Sequence, residues 1–195
     1  MPRRPVLLGI GAATLIVVGI LYAANRAILP QEFQASYAAG SRIALEVSTL
    51  SKEFTKNLEA IAAEDARGNY TGALDLVGGE LGRAVEVRKK LIDLLRELQS
   101  MAASLPNVRS EEAQRFGIQA ISAQTSLVSY LVNYNDSLVQ LLENLRFKFL
   151  SDDPGVYEAR TREILEKMNE DVRTINRLND EYQELIQRFD ATVRR

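Results

Sequence analysis

Apolar positions along this chain fall into two regimes. Residues 6–24 read VLLGIGAATLIVVGILYAA, an uncharged run of 19 residues, whereas beyond Pro30 apolar residues recur every three or four positions among polar ones. The first pattern is that of a helix surrounded by hydrocarbon. The second is that of amphipathic helices, each burying one stripe against its neighbours.

The four helices expected from the second pattern cover 30–67, 71–105, 110–150 and 153–193. In the first, Ile43, Val47, Leu50, Phe54, Leu58 and Ile61 form the stripe, and Gly68 closes it because glycine takes the left-handed conformation without penalty. The second opens near Thr71, read as its N-cap. From Val77 through Leu81, Ala84, Arg88, Leu91, Leu95, Leu98 and Ala102 to Leu105 the spacing alternates four and three, a heptad. Arg88, the charged entry, reads as a rim arginine with its stem along the seam and its head in water. Gly78, Gly79 and Gly82 weaken this helix locally and either permit a close helix contact or mark a bend.

Pro106 and Asn107 interrupt the chain before Ser110, whose hydroxyl caps a third helix led by Glu111 and Glu112. Its main stripe is Leu127, Leu131, Tyr134, Leu138, Leu141, Leu145 and Phe149. A second stripe, Val128, Val132, Val139 and Leu142, widens the apolar arc, so this helix needs two neighbours, or one neighbour and a partner docked on those four residues. Asp152, Asp153 and Pro154 read as a cap followed by proline in the first turn. The fourth stripe runs Tyr157, Thr161, Ile164, Met168, Ile175, Leu178, Tyr182, Leu185, Phe189 and Val193, with dense charge elsewhere. No stretch alternates with period two, so the fold class is all-α: an elongated antiparallel four-helix bundle behind an amino-terminal segment.

At 1.5 Å per residue the 6–24 run extends roughly 30 Å, about one hydrocarbon core. Val6, Leu7, Leu8, Leu15, Ile16, Val17, Val18, Ile20 and Leu21 supply its lipid-facing bulk, and Tyr22 lies where interfacial aromatics sit. The rival reading is a cleaved signal peptide, but cleavage after Ala24 would put Tyr22 three positions back, where a small residue belongs. Residues 1–29 are thus read as a cytoplasmic stub, a transmembrane anchor and a linker, and 30–195 as the helical domain. Arg3, Arg4 and the amino terminus face Arg26 alone across the run, which keeps the amino terminus in the cytoplasm and the bundle outside.

Charge and composition narrow the function. Removing Arg3, Arg4 and Arg26 from the 24 basic residues leaves 21 against 26 acids, a net charge of −5 for the helical domain. Such a domain repels phosphate backbones, and nucleic acid is not an expected partner. The chain has no Cys and no His, so it lacks thiolate chemistry, the usual base near neutral pH and the commonest transition-metal ligand. Glu163, Glu166, Glu170 and Asp171 flank an apolar stripe and read as a solvated face. No phosphate-binding glycine loop is present. No catalytic residue, cofactor or metal site is expected.

Two resemblances add to this reading. Gly68, Asn69, Tyr70, Thr71, Gly72, Ala73 and Leu74 resemble the turn between the helices of a tetratricopeptide repeat, which implies a tight helical hairpin over those seven residues. In outline, an amino-terminal anchor followed by four long helices resembles the extracytoplasmic sensing domains of bacterial chemoreceptors, which implies ligand sensing. Ser122, Gln124, Thr125, Ser126, Ser129, Asn133 and Asn135 of the third helix are candidates for a polar ligand pocket, or simply its wet exterior. The expectation is a membrane-tethered, non-enzymatic bundle that works through contacts with its own copies or another envelope protein; a ligand-binding sensor is the alternative.

Overall fold

A computed structural model describes residues 29–151, 153 and 155–193. The anchor residues from Val6 to Tyr22 lie outside that range, as do Asp152 and Pro154 of the expected cap. Among the described residues the chain is helical without strands: α1 (Gln31–Arg67), α2 (Tyr70–Ser104), a short 3-10 turn at Leu105–Asn107, α3 (Glu111–Leu150) and α4 (Val156–Val193). None of these helices is long and apolar enough to cross a membrane.

Local chemistry sets the helix ends. Gly68 has φ 73°, and its N–H and that of Asn69 return to the carbonyls of Asp65 and Glu64. This left-handed stop turns the chain within three residues, so α2 begins at Tyr70 and its cap is Asn69, not Thr71. The Asn69 side chain accepts from the Gly72 N–H at 3.2 Å. Replacing Gly68 with alanine forces a Cβ into the left-handed region and is expected to cost about 1 kcal/mol in chemical denaturation. An unchanged denaturation midpoint would contradict that role. Ser110 caps α3 as expected, accepting from the Ala113 N–H at 3.2 Å. α4 starts at Val156, three residues later than expected, behind a turn in which Asp153 accepts from the Gly155 N–H.

Side-chain pairs fix the topology. Glu46 with Lys90 and Asn57 with Glu80 join α1 to α2, Arg88 with Asp136 joins α2 to α3, and Asn144 with Thr161 joins α3 to α4. Between α1 and α2 the paired residue numbers run in opposite directions, and the short connections after α2 and α3 fold each following helix back, so neighbours are antiparallel. The circuit closes where the Phe33 ring of α1 lies 5.6 Å from that of Phe189 on α4. The bundle is therefore up-down-up-down. Leu29, the α2–α3 connection and Val193 share one end, called proximal here, and the α1–α2 and α3–α4 connections share the distal end.

Two apolar clusters fill the interior. The proximal one includes Phe33, Val47, Leu91, Leu98, Leu127, Val128, Ile175 and Phe189; the distal one includes Phe54, Ile61, Val77, Leu141, Leu142 and Met168. Close helix approach is provided by Gly40 and Gly117. A Cβ on Gly40 would stand 3.4 Å from Leu94, and one on Gly117 would stand 2.6 Å from Leu105 and 3.1 Å from Phe189. Gly78, Gly79 and Gly82 serve no such contact, for nothing approaches their missing side chains within 4 Å, and α2 runs through them unbroken.

Candidate functional site

The middle of the bundle, where the two apolar clusters meet, holds most of its buried polar chemistry. Glu80 on α2 is only 2 % exposed. Its Oε1 accepts from Asn57 Nδ2 at 2.6 Å and from the Arg83 guanidinium, which also lies 3.7 Å from Glu53. No protein donor reaches its Oε2. Burial pushes the Glu80 carboxyl above its ordinary range, and the Asn57 hydrogen bond and the Arg83 charge only partly offset this. One helix away, Asn135 is buried and donates from Nδ2 to the Ala84 carbonyl at 3.2 Å.

Beside this layer a cavity of about 30 Å³ opens between α1, α2 and α3. Val47, Phe54, Ala84, Leu91, Leu131 and Leu138 give it apolar walls, with Arg83, Tyr134 and Asn135 as its polar points. Space of this size takes a pair of waters or one small apolar group. Among the described residues no group of three or more acidic side chains is placed to hold a metal ion.

Three tyrosines stand in the core or at its edge. Burial, with Asp190 nearby, pushes the Tyr37 phenol up to about 12, and burial with Asp171 nearby does the same to Tyr134. Tyr182 is raised further, again chiefly by burial. A phenol raised in the fold favours folding below the ordinary value near 10, and that contribution is lost as pH rises through the folded value. Tyr37, Tyr134 and Tyr182 are thus expected to ionise only as the bundle unfolds at alkaline pH, as read by tyrosinate absorbance against circular dichroism; their ionisation near pH 10 with the helices intact would contradict their burial.

Of the four residues expected as a partner face on α3, the packing encloses two. Val128 and Leu142 are completely buried, and Val132 and Val139 are half-buried. The wide apolar arc is met by two neighbours, α2 on one flank and α4 on the other. Of the polar residues singled out on α3, Ser122, Thr125, Ser126, Ser129 and Asn133 are exposed and Gln124 is half-buried; Asn135 alone reaches the cavity.

Several of the large exposed apolar side chains fall on a different face. Val85 is 69 % exposed and Ile92 41 %, one turn to either side of Arg88, and Ile118, Phe147 and Leu150 are exposed on α3. Residues three, four and seven apart share a helix face, which puts Val85, Arg88 and Ile92 together on the α3 side of α2. The same rule groups Ile118, Asp136, Phe147 and Leu150 on the α2 side of α3. Arg88 Nη1 and Asp136 Oδ1, 2.5 Å apart, bridge the two stripes and confirm that they flank one seam. Arg88 is the exposed rim residue expected from the heptad. Leu45 on α1, Tyr130 on α3 and Val156 on α4 are exposed elsewhere, and the exposed Tyr70 of α2 stacks on Phe149.

Sequence reasoning passed over Val85 and Ile92 because each sits one step outside a heptad that was already complete. It passed over Glu80 because an acid beside Arg83 has the pattern of a surface pair. The usable signal for Glu80 was its position four residues before Ala84, on the buried stripe. Comparison with family models, with curated proteins and with solved structures finds no match to this chain.

Proposed function

We propose that this chain is a membrane-tethered, non-enzymatic helical bundle that works through protein contacts, made by the outer face of α2 and α3. The observation that carries this reading is the concentration of Val85, Ile92, Ile118, Phe147 and Leu150 on that face, while the interior stripes of all four helices already cover one another. Several exposed apolar side chains on one face, interspersed with charge, have the character of an interaction surface.

The tether is the 6–24 run, held in the bilayer with the amino terminus inside and the bundle outside the cytoplasmic membrane. Its support is the length and lack of charge of that run, the arginines before it, and the start of α1 at Gln31, just beyond a short linker. The full chain is expected to resist alkaline extraction from membranes and to expose its bundle to protease on the outer side only. A Leu15→Arg/Val18→Arg variant is expected to release it. Full solubility of the wild-type chain would remove the tether from the account.

A second reading has its own observation in the mid-bundle cavity, whose apolar walls and Tyr134 and Asn135 suit a small, mainly apolar ligand. Stabilisation of the chain by such a compound, abolished by Ala84→Leu, would put sensing ahead of scaffolding.

A further inference from the structure

We propose that a groove along the α1–α2 seam binds a small zwitterion of the α-amino acid type, its ammonium group on Glu97 and its carboxylate on Arg42. This site stands apart from the α2–α3 face and from the mid-bundle cavity, and it rests on neither.

The register of the two helices creates it. Arg83, Lys90 and Glu97 follow one another at heptad spacing on the side of α2 that meets α1, and Glu53, Glu46 and Ala39 do so on α1 in the opposite direction. Arg83 lies 3.7 Å from Glu53, and Lys90 donates to Glu46. The same step sets Glu97 level with Ala39. Here the pattern changes on both sides. α2 presents an acid where it had presented a base, and α1 presents a methyl group followed by Gly40, whose missing Cβ would stand 3.6 Å from the Glu97 Cβ. The third rung of this ladder therefore has a carboxylate and no cation across from it.

A groove of about 440 Å³ runs along this part of the seam, with Ile43 as its apolar lining. Four of its six charged side chains are already engaged, Lys90 with Glu46 and Arg96 with Asp93 at 2.6 Å. The other two are Arg42 on α1, which is exposed, and Glu97 on α2, which is half-buried. Among the described residues neither makes an ion pair or a side-chain hydrogen bond. Glu46, four residues from Arg42, is held by Lys90 instead: that hydrogen bond, more than the Arg42 charge, keeps its carboxyl below the ordinary range.

An unengaged guanidinium and an unengaged carboxylate on the two helices of one groove specify a ligand that carries both charges. A simple anion would find one free cation and meet Glu97, Glu46 and Asp93; a simple cation would find one free acid and meet Lys90 and Arg96. A zwitterion gives each free group its counter-charge and disturbs neither internal pair. The volume lies in the range of small-ligand sites, and Ile43 offers apolar surface to a ligand side chain. Because Arg42 and Glu97 belong to different helices, the bound ligand ties α1 to α2 and stabilises the fold as its concentration rises.

Scanning calorimetry of the full-length chain in detergent micelles, with a panel of free L-amino acids as probes, tests the site. At least one member is expected to raise the melting temperature in a concentration-dependent way, and its decarboxylated amine and its deaminated acid, each added alone, are expected not to. Arg42→Ala and Glu97→Gln alter groups that have no protein partner, so both chains are expected to melt as wild type without ligand and to bind about tenfold or more weakly. Ala39→Lys, which supplies the missing cation of the third rung, is expected to keep the fold and block the ligand. Arg177→Ala on the outer face of α4 is expected to leave binding unchanged. If no amino acid shifts the melting temperature, or if the amine or the acid alone shifts it as far as the parent does, the zwitterion site is overturned. Binding that survives both Arg42→Ala and Glu97→Gln overturns it as well, and its loss on Ala84→Leu would put the ligand in the mid-bundle cavity. The contact reading is separable from all of these, for cross-linking from Val85 is expected to persist in the Arg42→Ala chain.

Discussion

Replacing Phe189 with alanine is expected to lower the unfolding free energy by about 3–5 kcal/mol, the range for removing a fully buried aromatic ring. Phe189 is 2 % exposed and occupies the proximal end of the core, where three helices converge on it. The Phe33 ring of α1 lies 5.6 Å away, and the bare backbone of Gly117 on α3 makes room for its edge. The expected loss therefore has two parts, the transfer of a large apolar side chain and a void that Gly117 has no side chain to fill. The substitution also removes the ring that ties α4 to α1. Hydrogen exchange should show added opening at the carboxyl-terminal turns of α4 and the first turns of α1, with the distal cluster around Leu141 and Met168 still protected below global unfolding. A loss of about 1 kcal/mol or less would mean that the circuit of helices does not close at this end.

The second large effect centres on Glu80 and has a sign that depends on the substitution. Glu80→Ala removes the acceptor of Asn57 Nδ2 from a buried layer and is expected to cost about 1–3 kcal/mol. Glu80→Gln retains the acceptor and removes the charge. A carboxyl raised by burial favours folding while it is protonated, and that contribution is lost as pH rises through its folded value. Wild type is therefore expected to lose stability from this group on going from about pH 4 to neutral pH, and Glu80→Gln to lack that loss. The variant should match wild type in acid and exceed it at neutral pH. Asp171, raised by burial as well, contributes a slope of the same sign in both proteins, so the difference between the two curves isolates Glu80. Chemical denaturation across that pH range measures it; a Glu80→Gln protein less stable than wild type at neutral pH would show that the Arg83 pair outweighs the burial.

Much of the fold was legible because the patterns had contrast. The α4 stripe from Thr161 to Val193 stands out against a densely charged background, and nearly every member is buried. The α2 heptad put Leu91, Leu98 and Leu105 inside and Arg88 on the rim, as they are found. Where contrast failed, so did the reading. Gly40 is interior for reasons of close approach, and a glycine carries no periodic signal of its own. The face of Val128, Val132, Val139 and Leu142 was legible only in part, because the width of an apolar arc does not say how many neighbours cover it. That depends on the spatial order of the helices, which cap chemistry and periodicity leave open.

The candidate contact face was hidden for a related reason. Val85 and Ile92 look like stray surface residues until the Arg88–Asp136 bridge sets the register of α2 against α3. Only then do they fall on one face, level with the half-buried Val139 and Val132. Isolated exposed apolar residues are ordinary; several of them along one seam are not.

The most direct test of the contact surface is photo-cross-linking in cells from single sites in the full-length chain, with mass spectrometry of what is captured. Probes at Val85 and Ile118 are expected to form discrete protein adducts, and probes at Arg177 on the outer face of α4 to form none. A chain that cross-links to protein from Arg177 as readily as from Val85, or from neither Val85 nor Ile118, would contradict the assignment of the α2–α3 face as the working surface of this protein.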